Sequence, residues 1–364
     1  MIRSAFPKRL NRVPRILPAL GIVLLCASVA VGQTQPPASA PPTSWLVRPQ
    51  QVAAKISQWA REHPQIVSLD SQKTLGGNAA YAVTVTDRGT PDEKKAKILF
   101  AQPHAHEPAA TAGMMYFLAQ LIEGKELDGR KAAIDRETIL RRSVLTFIPD
   151  GNPDGRSRAP VDWWDGGKYS NKEFLDFAFG RTASGERCKR VGRWSNRDQQ
   201  PALLGIVYEQ INDHEFVEPN RDLESSYFKL ILRARRNREY DLHVDLHQTE
   251  FEKSPYQAMV ILPFMQKELP PRIQRANVEA AATVLTAWQA MGAKAIPEAR
   301  PLGYGEDQIQ YFRKCWKEIN EKTPEITIEI QNNSPRTPPD VQRKLMETAI
   351  RAAIEWASSK GRDQ

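Results

Sequence analysis

Apolar residues recur along this chain in two rhythms, a helical spacing of three to four and short continuous or alternating runs, and the two rhythms take turns. Val52, Ile56 and Trp59 mark a first helix before Pro64, followed by β-like runs at 66–69 and 80–85. A buried-strand candidate spans 98–101 and a helix spans 109–122, with the polar stretch 104–107 between them. A second unit follows, with a helix within 132–141, a strand over 144–148 and the turn-rich stretch 149–155. Further on, helices are expected at 202–211 and 223–236, strands at 240–246 and 258–262, and a long helix within 273–291. The last part predicts a short strand at 293–296, a helix across 308–319, a strand at 326–330 and a closing helix over 339–358. Strands that alternate with helices throughout predict a single α/β domain whose mixed central sheet carries helices on both faces.

Residues 156–201 break both rhythms. The stretch is rich in Gly, Arg, Lys and Trp, and long for a connection without structure of its own. Its aromatic residues, Trp163, Trp164, Phe174, Phe177 and Phe179, argue against disorder and for a wall packed around a site.

Composition changes this picture at the ends only. With 364 residues, 41% of them hydrophobic, 27 prolines and 20 glycines, the chain reads as globular. Its formal charge of +8 points at first sight to nucleic acid or membrane. Five of those charges, Arg3, Lys8, Arg9, Arg12 and Arg15, precede an apolar run from Ile16 to Val31, and subtracting 5 from +8 leaves +3. The remaining basic residues are interspersed with acids, so no nucleic-acid partner is expected. The basic start, the apolar run and Ala30-Val31-Gly32 form the pattern of an export signal over 1–32, cleaved after Gly32. The run is short for a membrane span and holds Pro18 and Gly21, and Leu25 before Cys26 does not suit a lipoprotein signal. The expected location is therefore periplasmic or extracellular, with no stable membrane insertion after cleavage. Residues 33–44, QTQPPASAPPTS, read as a Pro-rich tether, and residues 45–364 as the one folded domain. Cys188 and Cys315 then allow one disulfide or two buried thiols.

The candidate chemistry lies where strands end. Catalytic zinc takes three nitrogen or oxygen ligands and keeps one position open, a need that histidine and carboxylate meet near neutral pH. His104 and Glu107 are three residues apart where a strand turns into a helix, so both can converge on one ion. The third ligand must come from elsewhere, and His247 closes the strand 240–246. Alternation there puts His243, Asp245 and His247 on one face and Leu242, Val244 and Leu246 on the other. Only His247 reaches the carboxyl end, where open α/β sheets gather their ligands. Four of the six histidines fall in these two segments.

Five segments in order, Pro103 to Glu107, Ile148 to Gly155, Asn220-Arg221-Asp222, Asp245-Leu246-His247 and Thr327 to Ile330, resemble the signatures of the zinc metallocarboxypeptidase family, of carboxypeptidase A type. The resemblance covers roughly residues 45–358. It implies one Zn2+ ion held by His104, Glu107 and His247, with Glu329 as general base. It implies that Asn220 and Arg221 grip the terminal carboxylate of a peptide or acyl-amino-acid substrate, a task suited to the planar Arg fork. Hydrolysis of a C-terminal peptide bond then follows from zinc-promoted water and a carboxylate that takes its proton. Asn152-Pro153-Asp154-Gly155 acts in this reading as scaffold.

The chain departs from the family pattern in three places. Asn196-Arg197 offers a second Asn-Arg pair, although Asn220-Arg221 is preferred because a helix and then the His247 strand follow it. No single arginine among Arg156, Arg158, Arg181, Arg187 and Arg193 stands out as the one that polarises the scissile carbonyl. The family's mobile tyrosine is not at its usual place, and Tyr304 is the stand-in. Glu306 or Asp307 beside it can give the side-chain pocket an acidic floor. His104-Ala105-His106 is also the opening pattern of metal-dependent amidohydrolases, a rival that needs a late metal-binding Asp where this chain has Glu329. Two other readings stay open: an amide hydrolase or deacylase acting on acyl-amino acids or cell-wall peptides, and an exported binding protein without turnover.

Overall fold

The computed structural model describes residues 45–249 and 252–360. The expected export signal and the tether lie outside the described residues. Helix α1 (Pro49–Glu62) opens the domain and buries Val52, Ile56 and Trp59, the three residues of the first apolar stripe. Strands β1 (Val67–Lys73) and β2 (Ala79–Val85) form an antiparallel pair. Strand β3 (Ala96–Ala101) leads through a tight turn into α2 (Pro108–Glu123). Pro108 suits the first helical position, where its missing N–H costs nothing, and Gly124 closes the helix in the left-handed conformation. Residues 108–122 of α2 are all buried, as its nearly unbroken apolar composition requires.

Helix α3 (Arg136–Arg142) and strand β4 (Ser143–Ile148) complete the second unit, and Asn152 caps the single-turn helix α4 (Pro153–Ser157) by accepting the Gly155 N–H. The stretch 156–201 is structured. Helix α5 (Asn171–Phe179) starts on a Ser170–Glu173 capping box. After it come β5 (Gly180–Thr182), β6 (Arg193–Ser195) and the short helix α6 (Asn196–Gln199). Of the expected aromatic wall, Trp164, Phe174, Phe177 and Phe179 join Trp194 and Tyr208 in a satellite core, whereas Trp163 packs instead with Trp45 and Val47.

The helix expected over 202–211 does not form. The chain runs instead through β7 (Pro201–Leu204), β8 (Glu209–Gln210) and β9 (Glu215–Val217). The reason is the carboxyl end of α5, whose Phe177 and Ala178 carbonyls accept the Ile206 and Val207 N–H groups at 3.0 Å each. At Gly205 the backbones approach so closely that a β-carbon would fall 2.4 Å from the Phe179 carbonyl carbon.

Helix α7 (Ser226–Asn237) begins at Ser225, whose side chain accepts the Phe228 N–H. Strands β10 (Leu242–Thr249) and β11 (Ala258–Leu262) and helix α8 (Pro271–Ala290) follow. The strand expected at 293–296 is reduced to one bridge, Ala295 to Ala258, because Pro297 ends any ladder there; the edge strand is β12 (Arg300–Pro301). Helix α9 (Glu306–Lys322), strand β13 (Glu325–Gln331) and helix α10 (Pro339–Lys360) close the chain.

Eight strands make one mixed sheet in the order β1-β2-β4-β3-β10-β13-β11-β12. Its centre, β4, β3, β10 and β13, is parallel, and both flanks carry antiparallel pairs. Leu242, Val244 and Leu246 of β10 and Ile326, Ile328 and Ile330 of β13 pack in one core with residues of α1, α2, α8 and α10. Residues of α7 and α9 pack with Leu99 and Ala101 in a second core on the other face. The strand alternation thus aims His243, Asp245 and His247 away from the large core. Among the described residues no helix is long and apolar enough to cross a membrane.

Candidate active site

His104 and Glu107 lie on the turn that leaves β3, and His247 lies near the end of β10, which pairs with β3 in parallel. This adjacency brings together residues 143 apart in sequence. His104 Nδ1 lies 3.1 Å from His247 Nδ1 and 2.9 Å from Glu107 Oε1, and His247 Nδ1 lies 2.9 Å from Glu107 Oε2. All three side chains are buried.

This donor set fits a metal ion. Tetrahedral zinc with bonds of about 2.0–2.1 Å places its ligand atoms about 3.3 Å apart. Two imidazole nitrogens facing each other at 3.1 Å cannot both carry protons without repulsion. Glu107 Oε2 is buried beside them, and its 2.9 Å approach to His247 Nδ1 lacks hydrogen-bond geometry. One divalent cation would satisfy all three groups, and together they are the group of described residues able to hold one.

The far nitrogens of both rings face carboxylates. His247 Nε2 lies 2.8 Å from Asp245 Oδ2, and Tyr227 donates to Asp245 Oδ1 at 2.6 Å. His104 Nε2 lies 3.2 Å from Glu218 Oε1 and 3.3 Å from Asn220 Oδ1. Each carboxylate favours the proton on Nε2 and leaves the Nδ1 lone pair directed at the ion position. Burial drives the His104 pKa down to about 4, so this ring is neutral. At His247 burial acts the same way, but Asp245 and then Glu107 overcome it and raise the pKa well above 6.5, so an ion bound there would have to displace a proton. Burial works against ionising Glu107, but His104, His247 and His106 overcome it and hold the carboxyl well below the ordinary range.

The turn is held by scaffold contacts from the 149–155 segment. Thr111 Oγ1 donates to the Pro149 carbonyl at 2.7 Å, and Arg156 Nη1 donates to the Ala105 carbonyl at 3.0 Å. Asn152 donates to the Val207 carbonyl at 2.8 Å, and Asp154 accepts from Thr74, Gly76 and Asn78. At Gly155 a β-carbon would sit 2.8 Å from that of Ala105, so the segment can lie against the metal turn only with glycine there. These are structural roles, as the sequence led us to expect.

A cavity of about 180 Å³ adjoins the triad, and Asn220, Arg221, Tyr304 and Glu329 all line it. Glu329 pairs in register with His247 across the β10–β13 ladder. Arg221 is buried over the Phe312 ring at 4.9 Å, and Trp316 donates its indole N–H to the Asn220 carbonyl at 2.9 Å. Tyr304 packs on Phe312 with ring centroids 4.7 Å apart. Burial, then the Glu329 charge, raises its phenol pKa.

The rival anchor pair sits apart from this cavity: Asn196-Arg197 lies on α6, with Arg197 exposed. Glu306 and Asp307 are exposed in the first turn of α9 and do not line the cavity, so they supply no acidic floor. His106 approaches Glu107 at 3.2 Å but turns toward Phe179, 5.2 Å away, and is not one of the three converging ligands. Cys188 and Cys315 are buried free thiols.

Two residues escaped the sequence reading. Arg190 lines the cavity, whereas none of the five arginines considered from sequence does. It donates to Glu218 Oε1 at 2.6 Å and packs over Phe179 at 4.4 Å. Glu218 is wholly buried and is shared by His104, Arg190 and Arg221. Its position two residues before Asn220 was the one available signal.

The chain belongs to the zinc carboxypeptidase family, whose model matches residues 52–289. It is accordingly a zinc metallopeptidase by family, and the matched stretch holds His104, Glu107, Asn220, Arg221 and His247. Tyr304 and Glu329 lie beyond the matched residues. The fold is similar to a metallo-carboxypeptidase from Burkholderia cenocepacia, with TM-score 0.54, 16% identity, and coverage of 85% of this chain and 69% of that one. It is also similar to the carboxypeptidase A of Helicoverpa armigera, with TM-score 0.55, 14% identity, and coverage of 87% and 75%. At these identities the likeness is one of fold. No curated protein sequence matches the chain.

Proposed function

We propose that this protein is an exported metallocarboxypeptidase that removes the C-terminal residue of a peptide, with Glu329 as general base. The observation that carries this is the placement of a surplus cation beside the metal triad. One buried carboxylate, Glu218, serves both Arg190 and Arg221, so two guanidinium groups face one counter-charge next to the cavity. Arg221 Nε has no acceptor. Burial, then Arg190, disfavours its charge, and an incoming carboxylate would restore the balance.

In this reading Arg221 and Asn220 hold the terminal carboxylate and set the position of the scissile bond. Arg190 stands nearby as the cation for the scissile carbonyl. A zinc ion held by His104, Glu107 and His247 would supply Lewis acidity and would lower the pKa of a water to roughly 7. Glu329, at the level of His247 on the neighbouring strand, takes the proton from the attacking water and returns it to the leaving amine. Tyr304 and Phe312 cover the cavity and limit water. Export is supported by the basic and then apolar pattern of residues 1–32.

The test uses the purified mature chain, analysed for zinc and offered matched peptides with free and amidated C-termini, and N-acyl amino acids. Stoichiometric zinc with cleavage of free C-termini only is the expected result. Equal cleavage of amidated peptides would overturn the exopeptidase reading, and turnover of acyl-amino acids alone would favour the deacylase.

A further inference from the structure

The cavity does not stop at the metal triad. It extends along the polar face of the sheet, where the β10–β13 register sets three pairs in a column: His247 with Glu329, Asp245 with Thr327, and His243 with Glu325. At about 3.3 Å per residue, Glu325 lies roughly 13 Å along the strand from Glu329. The opposite wall is a single stripe of α9, Gln308, Phe312, Trp316 and Asn320, spaced by four and so stacked on one helix face.

The far end of this slot is polar, and no lysine or arginine lines it; Arg235, outside the lining, is the cation whose field reaches Glu325. Asn320 donates to Glu325 Oε2 at 2.6 Å. The charged or chargeable group closest to pairing with Glu325 is His243, with Nδ1 3.9 Å away. Burial keeps that ring neutral, with its pKa near 4. Among the described residues no lysine or arginine forms an ion pair with Glu325. Burial, then the Asp245 charge, raises its pKa to about 8, and the Asn320 hydrogen bond, Arg235 and His247 offset this only in part.

We propose that this slot receives the side chain of the substrate's C-terminal residue and that Glu325 selects lysine or arginine there. The inference rests on the carboxypeptidase reading above. Arg221 would hold the terminal carboxylate at the mouth, and the side chain of the same residue would point between β13 and α9. Its alkyl stem would lie against Phe312, Trp316 and Leu262, and its cation would reach Glu325 and Asn320. Short apolar side chains would leave those polar groups unmatched, and an acidic one would meet the Asp245 charge and find no cation in the lining of that end to pair with.

Peptides differing only in the C-terminal residue test this. Lysine or arginine should be released about 10- to 100-fold more efficiently than leucine, by kcat/KM, and Glu325→Gln should bring the ratio to within about threefold. Glu325→Lys should shift preference toward C-terminal glutamate. Calorimetric binding of L-arginine against L-leucine to the zinc-loaded protein gives a readout without turnover, with thermal unfolding to verify folding. If Glu325→Gln does not fold, Glu325→Asp, one methylene shorter, should weaken L-arginine binding relative to L-leucine. A wild-type preference for leucine or glutamate, or a ratio unchanged in a folded Glu325 variant, would overturn the proposal. If no peptide is cleaved, the carboxypeptidase reading fails by itself; selective L-arginine binding that Glu325→Gln abolishes would still support the slot, and equal binding of both amino acids would overturn it.

Discussion

His247 and Glu329 occupy partner positions on adjacent parallel strands, the carboxyl-terminal part of β10 against that of β13. A metal ligand and the proposed base are therefore held at one level by backbone hydrogen bonds, although they stand 82 positions apart in the chain. Their spacing is set by the sheet and needs no help from a flexible loop.

Replacing Glu329 by Gln keeps the shape and removes the proton acceptor. We expect kcat to fall by about 100- to 10,000-fold while one zinc ion remains bound. Loss of zinc together with activity would show that Glu329 acts on the metal site instead.

The two histidines of the His104-Ala105-His106 segment should differ sharply. His104→Ala and His247→Ala should lose zinc, by atomic absorption, whereas His106→Ala should keep a stoichiometry near one. Loss of the metal in His106→Ala would revive the amidohydrolase alternative.

Asp245 and Glu218 position the ligand rings and do not touch the metal. Asp245→Asn and Glu218→Gln should each weaken zinc affinity by about 10- to 100-fold, measured by competition with a chelator. An unchanged affinity in both would mean that packing alone orients the rings.

Arg221→Ala should cost about 2–5 kcal/mol of binding for peptides with a free carboxylate, seen mainly as a raised KM. Arg221→Lys should restore little, because an ammonium cannot reproduce the planar fork. The same loss for amidated peptides would argue against carboxylate recognition.

Asp150 offers a test of stability against pH. Burial, only partly offset by Arg156, raises its pKa from 3.8 to about 7. Between those values the folded protein keeps a proton that the unfolded chain has released, so this group's contribution is greatest below about pH 4 and is lost as pH rises to about 7. Its slope is about 1.4 kcal/mol per pH unit. Asp150→Asn should flatten the decline in urea unfolding free energy over that window, and identical slopes in both proteins would refute the assignment.

The strands and helices of the sheet were legible because each buries one face and repeats its apolar residues at its own period. Val52, Ile56 and Trp59 announced α1, and the alternation of β10 already separated His243, Asp245 and His247 from the core side. The stretch 202–211 misled because its apolar density resembles a helix, while its backbone donors are taken by the end of α5. Arg190 and Glu218 were invisible for a related reason. Their partners, each other and His104, lie 28 and 114 positions away, and no local pattern records such a contact.

From sequence alone came the residue types suited to zinc, their position at strand ends and the α/β architecture, all properties that depend on neighbours in the chain. Tertiary structure alone decided that three ligand atoms meet within 4.8 Å, that Arg190 joins Arg221 beside them, and that Glu306 and Asp307 stay in solvent while Glu325 faces the cavity. Strand order and register determine which distant side chains share a space, and the order of residues along the chain does not state them.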